Sequence, residues 1–337
     1  MVTRVELPII EPIYGTYHYQ GIGGAVLSNN LSVRNWYLNE IMLLACNRKF
    51  LSGYTTPEFS IMESEWHKNP YLDKIWYEMR FAKGHINSII RELLNCGYYV
   101  FFGCVDDYYV KGKSWYHQRH FLHDGLICGY DQKSKEYCIY AYDHDWIYQK
   151  FWTPQECFNR GRRAMFRQGV FGNICGIKPR TDQVELQPKT ILKNLDVYLD
   201  SSLTKYPPSG YGLVHGIVVH EYIAMYLEEL YKESIPYNRI DHRVFRMIWE
   251  HAKAMLERIE KTEQILGLNN EVSESYRQLM PDVHLMYMLY TSHYMKRRDA
   301  ALLIIRDKLL RFKEREEHIL NDFVKKGKEV IRDEAVE

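Results

Sequence analysis

Apolar positions in the first half of the chain alternate between two periods. In 84–96, GHINSIIRELLNC, residues Ile86, Ile89, Ile90, Leu93 and Leu94 recur at i, i+3, i+4, i+7 and i+8, one face of a helix. Gly97 follows, and glycine commonly ends a helix in a left-handed turn, so the helix is expected to stop there. In 35–46, NWYLNEIMLLAC, Trp36, Ile41, Leu44 and Ala45 lie near the same spacing and predict another helix. The run 98–105, YYVFFGCV, is apolar and β-prone and predicts a buried strand. Residues 123–143, HDGLICGYDQKSKEYCIYAYD, read as two strands joined by a turn at 132–135. Thr153-Pro154-Gln155-Glu156 carries the N-cap, N1 and N3 residues of a helix start, and a short strand over 172–177 closes this half.

Pro179, Pro188, Pro207 and Pro208 then interrupt the pattern around one helix near 191–199, and the domain boundary is placed here. Domains are expected at 1–180 and 186–337. The second is helical in period: 212–231, a break at Pro236, a long helix capped by Asp241 and running through Val244, Ile248, Met255 and Ile259, then 273–293 and 297–326. Long amphipathic helices with short breaks predict a bundle. The charged end, 325–337, is expected to fray. The fold class expected is α+β in the first half and an all-α helical bundle in the second.

Composition adds exclusions. The 337 residues carry a net charge of only +1, so no global field recruits nucleic acid or a membrane surface. No apolar run reaches the roughly 18 residues a membrane span needs. The opening MVTRVELPIIEPIYG has no basic leader before a long apolar core, and neither a secretory signal nor an anchor is expected. The seven cysteines are odd in number and form no CxxC pair, which fits neither a disulfide framework nor a zinc ribbon; reduced thiols in a cytoplasmic protein are expected. The 28 tyrosines suit either a wet binding cleft or a Tyr-rich core.

The candidate chemistry centres on His123 and Asp143, which bound the hairpin at similar distances from its turn. On paired strands they would sit side by side, with the carboxylate fixing the tautomer of a histidine base. His117, His120 and His123 form H-x-x-H-x-x-H, but spacing by three does not make ligands converge, and no metal is expected. YDHDW at 142–146 reads as a cation site or a strand end entering a turn. The cysteines sit late in helices or within strands, unfavourable places for a thiolate. Glu250 and His251, with Asp241, Arg243 and Arg258, form a second cluster, either a solvated helix face or the lining of an interdomain cleft. The Met- and Tyr-rich run 280–299 reads as core or as an adaptable partner surface.

A helix-rich start, then a strand, then His–apolar–Gly-Tyr-Asp–turn–strand–Asp resembles the layout of papain-like folds, in particular the bacteriocin-leader-processing cysteine peptidases. The chain is most similar to the butirosin-biosynthesis acyltransferase type. IDHRVFRMIWEHAKAMLERI at 240–259 is similar to an Asp-x-Arg…Glu-His…Arg pattern of that family's helical region, and YGLVHGI at 211–217 fits the segment before it. Those families carry a His-Cys pair near the N-terminus, the cysteine opening a helix. In YHYQGIGGAVLSNN, 17–30, His18 matches the histidine and Tyr19 stands at the cysteine position. Gly21, Gly23 and Gly24 allow close approach of a ligand or a neighbouring helix.

The resemblance implies acyl or peptidyl transfer, or thioester or amide cleavage, in peptide-type natural-product biosynthesis. The donor would be a phosphopantetheine carrier protein and the acceptor a small amine or peptide, with no cofactor. Without the cysteine, His123 would act as base in direct attack on a thioester, Asp143 would orient it, and backbone N–H groups near Tyr19–Gly21 or the Tyr19 hydroxyl would polarise the carbonyl. His18, Gly21, Gly23, Glu250 and His251 complete the expected site. The alternatives are a non-catalytic scaffold of the same pathway and a cysteine peptidase.

Overall fold

The computed structural model describes residues 3–52, 57–82, 84–203, 212–297 and 299–333. In chain order the first elements are strand β1 (Arg4–Glu6), helices α1 (His18–Ala25) and α2 (Arg34–Glu40), and strands β2 (Leu44–Asn47), β3 (Ser60–Ile61) and β4 (Leu72–Glu78). Helices α3 (Met79–Ala82) and α4 (Ile86–Asn95) lead to strands β5 (Tyr99–Asp106), β6 (Leu122–Asp131), β7 (Glu136–Tyr142) and β8 (Tyr148–Pro154). Helix α5 (Gln155–Arg167), strand β9 (Asn173–Pro179), helix α6 (Pro188–Leu199) and strand β10 (Leu213–His215) follow. The rest is helical: α7 (Val219–Tyr231), α8 (Val244–Leu266), α9 (Glu271–Arg277), α10 (Met280–Lys296) and α11 (Ala300–Asp333). The chain is thus mixed helix and antiparallel sheet, ending in a helical region. Among the described residues, no helix is long and apolar enough to cross a membrane.

The chain forms two units, Met1–Val33 with Glu65–Gln183, and Arg34–Ser64 with Val184–Glu337. The boundary expected between 180 and 186 falls after Gln183. The excursion of Arg34–Ser64 into the second unit was not expected.

The first unit is built on a seven-stranded antiparallel sheet in the order β4-β9-β5-β6-β7-β8, with β1 paired to β6. Ile86, Ile90 and Leu94 of α4 and Phe158 and Met165 of α5 bury their side chains with Val100, Phe102, Ile127 and Ile139 of the sheet. The helix expected over 84–96 is present, and Gly97 follows it at φ +79°. The Gly-Tyr-Asp of the hairpin has three separate structural tasks. A Cβ on Gly129 would lie 2.5 Å from Val5 O, so only glycine lets β1 approach. The Tyr130 hydroxyl donates to Asn95 Oδ1 at 3.0 Å, and Asp131 Oδ1 accepts the N–H groups of Lys133 and Ser134 in the turn. Thr153 does not cap a helix: it pairs with Tyr137 in β8, and α5 begins at Gln155, whose N–H donates to Lys135 O.

In the second unit α11 packs against α7, α10 and α6. The helix expected over 35–46 stops at Glu40, because Leu44–Asn47 pairs as β2 with β10 and with β3. Arg258, fully buried on α8, holds that end by donating to Leu38 O at 2.7 Å, Tyr37 O at 3.1 Å and Ile41 O. The last carbonyls of a helix run short of intrahelical donors; Tyr37 O takes the Ile41 N–H at 3.1 Å, and Arg258 adds a donor there and serves Leu38 O and Ile41 O. The helix expected from 212 begins at Val219, after β10 and a turn at Gly216, whose φ is +82°. The one expected over 273–293 is two, α9 and α10, with Pro281 in the first turn of the second. The end expected to fray stays helical to Asp333, and 334–337 lie outside the described residues. So do Pro207, Pro208 and Tyr211.

Candidate functional site

The hairpin ladder pairs Ile127 with Ile139 and Leu126 with Tyr140. Continued in that register, it would set Asp124 across from Tyr142 and His123 across from Asp143. It does not continue: β6 stays with β5, where His123 pairs with Val105, and β7 leaves toward a turn. The first residue of α1 fills the gap. His18 Nδ1 lies 2.6 Å from Asp124 Oδ1, and its Nε2 lies 3.4 Å from the Tyr142 backbone nitrogen. A carboxylate only accepts, so Nδ1 carries the proton and the Nε2 lone pair takes the Tyr142 N–H. The ring lies 5.1 Å from those of both Tyr142 and Tyr148 and 4.4 Å from that of His123.

Burial pushes the His18 pKa down to about 4, helped by the nearby Lys113 charge and resisted by the Asp124 hydrogen bond. His18 is therefore neutral at pH 7 with both nitrogens engaged. Burial works to raise the Asp124 pKa, but the His18 hydrogen bond, with the Lys113 charge nearby, outweighs it and holds the group below its ordinary value.

His123 is the exposed member of the cluster, its side chain 32% accessible. Its Nδ1 lies 3.3 Å from Lys113 Nζ and 3.5 Å from Asp107 Oδ2, and its Nε2 lies 3.8 Å from Asp124 Oδ1. Lys113 and Asp107 are completely buried, 3.4 Å apart, and Lys113 also donates to Asp124 O at 2.9 Å. Sequence reasoning missed Lys113, Asp107 and Asp124. Their only signal is the doubling of Asp106 with Asp107 after a strand and the His123-Asp124 step, since a buried lysine reads like any surface lysine.

Asp143 is not the partner of His123. It accepts the N–H groups of Asp145 and Ile147, each at 2.9 Å, and the Gln149 side-chain amide. Burial would raise its pKa, but these donors hold it below the ordinary value. The physical reason is the divergence of the strands: past Tyr142 the chain needs an acceptor for its turn more than His123 needs a second carboxylate. The backbone of Asp143 also bridges to that of Lys113, tying the turn to the loop that delivers the ammonium.

The H-x-x-H-x-x-H residues diverge. His120 Nδ1 goes to Asp106 Oδ2 at 2.8 Å, His117 stacks on Tyr116 and Tyr108, and only His123 enters the cluster. Ligand atoms of His18, His123 and Asp124 do lie within 4.8 Å of one another. His18 Nδ1 is already bonded to Asp124, however, and the buried Lys113 ammonium places a positive charge against His123, so this donor set suits a proton better than a metal ion. In the 143–145 group, Asp143 is committed to the turn.

Tyr19 is half-buried at the second position of α1 and stacks on Tyr17 at 5.1 Å. The backbone N–H groups of Gln20 and Gly21, expected to polarise a carbonyl, both donate to Tyr17 O. A Cβ at Gly21 would meet the Tyr148 ring at 2.9 Å, and one at Gly24 would meet Pro12 at 2.7 Å. These glycines seat α1, with Gly23 buried alongside. Gly21 and Gly23 are thus packing positions and not the binding positions expected. Glu250 and His251 are also interior residues, of the second unit: Arg246 pairs with Glu250 at 3.1 Å, and His251 Nε2 bonds Met42 O at 2.8 Å. Asp241 grips Arg243, the residue before α8, by its backbone N–H and guanidinium. Among the cysteines, burial pushes the Cys46 and Cys175 thiols up to about 12. Cys128 and Cys138 face each other in the sheet interior, Sγ to Sγ 3.5 Å.

No protein-family model matches the chain, and neither does any curated protein.

Proposed function

We propose that the first unit is a papain-like acyltransferase that moves an acyl or peptidyl group from a thioester to an amine, without a covalent enzyme intermediate. The observation that supports this most directly is the charge balance around His123. Asp107 and Asp124 oppose one ammonium, Lys113, which leaves one negative charge uncompensated beside the one exposed imidazole of the cluster. A general base becomes positive as it works, so an environment that is neutral only when the base is protonated favours that step. The papain-like assignment is supported by α1 packing against β6, which carries His123, with Tyr19 near the start of α1 in place of the cysteine.

The step uses the His123 tautomer with the proton on Nδ1, 3.5 Å from Asp107 Oδ2, and the lone pair on Nε2; the Lys113 ammonium, 3.3 Å from that Nδ1 and only a donor, must then turn from it to Asp107 and Asp124 O. As the amine nitrogen bonds to the thioester carbon, Nε2 takes its proton. The tetrahedral adduct then collapses, the C–S bond breaks, and the imidazolium returns the proton to the departing thiolate. The products are an amide and a free thiol. The Tyr19 hydroxyl is assigned to the developing oxyanion. His18 acts as a positioning residue, holding Asp124 in place. The donor is assigned to a phosphopantetheine carrier protein and the acceptor to a small amine or peptide, in the cytoplasm.

The test is aminolysis of an acyl N-acetylcysteamine thioester by an alkylamine. Wild-type protein is expected to accelerate amide formation, His123→Ala to lose at least about 100-fold, the usual scale of general-base catalysis, and Tyr19→Phe to lose less. No acceleration by wild-type protein, or equal rates with His123→Ala, would overturn the proposal. The second reading is a non-catalytic binding protein. It draws on the neutral, fully engaged His18 and on a tyrosine where a nucleophile would stand.

A further inference from the structure

A row of aromatic rings leads from the protein surface to His123. Phe121 lies 5.1 Å from the His123 ring, Trp115 lies 6.3 Å from Phe121, and Trp146 lies 5.4 Å from Trp115, edge on. Both ends of the row are exposed to a degree unusual for such side chains: Trp146 at the far end by 55%, with its neighbour Ile147 at 52%, and Phe121 beside His123 by 37%.

The backbone is arranged to hold them there. Trp146 adopts φ +60°, a left-handed conformation that a bulky residue takes up only when its surroundings impose it. What imposes it is the turn at Asp143. The Trp146 N–H donates to Asp143 O at 3.1 Å, while the Asp143 carboxylate takes the N–H groups on either side, from Asp145 and Ile147. Trp115 and Phe121 stand on the loop that also supplies Lys113. That loop is pinned by Asp106 Oδ1 accepting the N–H groups of Tyr108 and Phe121 at 3.2 Å, and by the backbone bridge from Lys113 to Asp143. One pair of linked segments therefore places both the charges around His123 and the rings beside it.

We infer that this row is the subsite for the group transferred, and that the group is aromatic. The inference rests on the acyl-transfer reading of His123 and names its substrate class. Rings in mutual contact, edge on and tilted, offer a planar guest both faces and edges to pack against on their exposed side. A short aliphatic acyl group would leave Trp115 and Trp146 uncovered. Trp146 is the specificity-determining residue and Asp143 its positioning residue.

The experiment compares phenylacetyl and acetyl N-acetylcysteamine thioesters as donors, and separately measures binding of their unreactive N-alkyl amides by quenching of tryptophan fluorescence. Wild-type protein is expected to prefer phenylacetyl by roughly tenfold or more in kcat/KM, the scale of one well-packed apolar group. Trp146→Ala should bring that preference toward one, mainly through KM, and Trp146→Phe should restore part of it. Equal use of both donors would overturn the inference while leaving acyl transfer standing. If neither donor is turned over, binding decides. Tighter binding of the phenylacetyl amide, weakened by Trp146→Ala but not by His123→Ala, would keep the aromatic subsite and remove the reaction. Equal or undetectable binding would overturn the subsite too. A wild-type dimer that becomes monomeric in Trp146→Ala, with no discrimination between ligands, would assign the rings to self-association instead.

Discussion

His18 and Asp124 share a 2.6 Å hydrogen bond across the point where the β6–β7 ladder would otherwise close. The histidine comes from α1, so the first helix is wedged into the sheet by a polar contact. The same contact separates the two strands, sending Asp143 into its turn and leaving His123 beside Lys113 and Asp107.

The carboxylate that matters to His123 is therefore Asp107. In Asp107→Asn the negative charge that supports the developing imidazolium is gone, and kcat for aminolysis should fall by about tenfold or more. In Asp143→Asn kcat should stay near that of the wild type, while the preference for an aromatic donor shrinks as the turn under Trp146 loosens. Steady-state kinetics of the two variants side by side check this. A large loss of kcat in Asp143→Asn and none in Asp107→Asn would return the role to the hairpin pair.

Acid stability follows from two buried neutral histidines. Burial lowers the pKa of His18 to about 4 and that of His251 to about 3, from an ordinary value of 6.5. Below pH 6.5 the unfolded chain takes up protons that the native state refuses, so each residue removes stability as pH falls, down to its folded pKa. For His18 the loss is about 3 kcal/mol between pH 6.5 and 4, and for His251 somewhat more. The paired carboxylates Asp124 and Glu257, with lowered pKa values, add their losses only at lower pH. Glu316, raised by burial, acts in the opposite direction. Thermal unfolding of the wild type should show Tm dropping between pH 6.5 and 4.5, and His18→Gln and His251→Gln should each show a shallower drop.

Glu316 itself gives a sharper test in the second unit. It is fully buried and accepts the hydroxyls of Tyr276 at 2.6 Å and Tyr198 at 3.0 Å, with His220 Nε2 3.8 Å away. Gln at this position keeps an acceptor and removes a charge that burial disfavours, so Glu316→Gln should stay within about 1 kcal/mol of wild type at pH 7. Glu316→Ala leaves two buried hydroxyls without their acceptor and a cavity, and should cost about 3 kcal/mol or more in urea denaturation.

Helices and strands that carry their own pattern are legible in the amino-acid sequence alone. The apolar stripe of 84–96 forms α4, the apolar run at 98–105 forms β5, and 123–143 forms a hairpin, because periodicity is a local property that a buried face imposes on the sequence. Where a distant segment competes, the local pattern loses. The helical spacing at 41–45 gives way to β2 because β10 offers a ladder about 170 residues along the chain, a pairing no local window contains.

The candidate site divides the same way. The sequence picked out His123 from the hairpin it opens, and His18 only through the resemblance to papain-like peptidases. It also set Asp143 near His123 from their similar distances from the turn; strict counting from Asp131 and Glu136 would put His144 there, and a one-residue register shift between Ile127 and Gly129 moves the ladder. Only the tertiary structure decided that the ladder ends before reaching them. It alone set a lysine inside the cluster, paired His18 with Asp124, and turned Asp143 toward Trp146. The reason is physical: which charge faces which imidazole depends on the few ångströms by which two strands separate, and that separation is fixed by a helix packing from elsewhere in the chain.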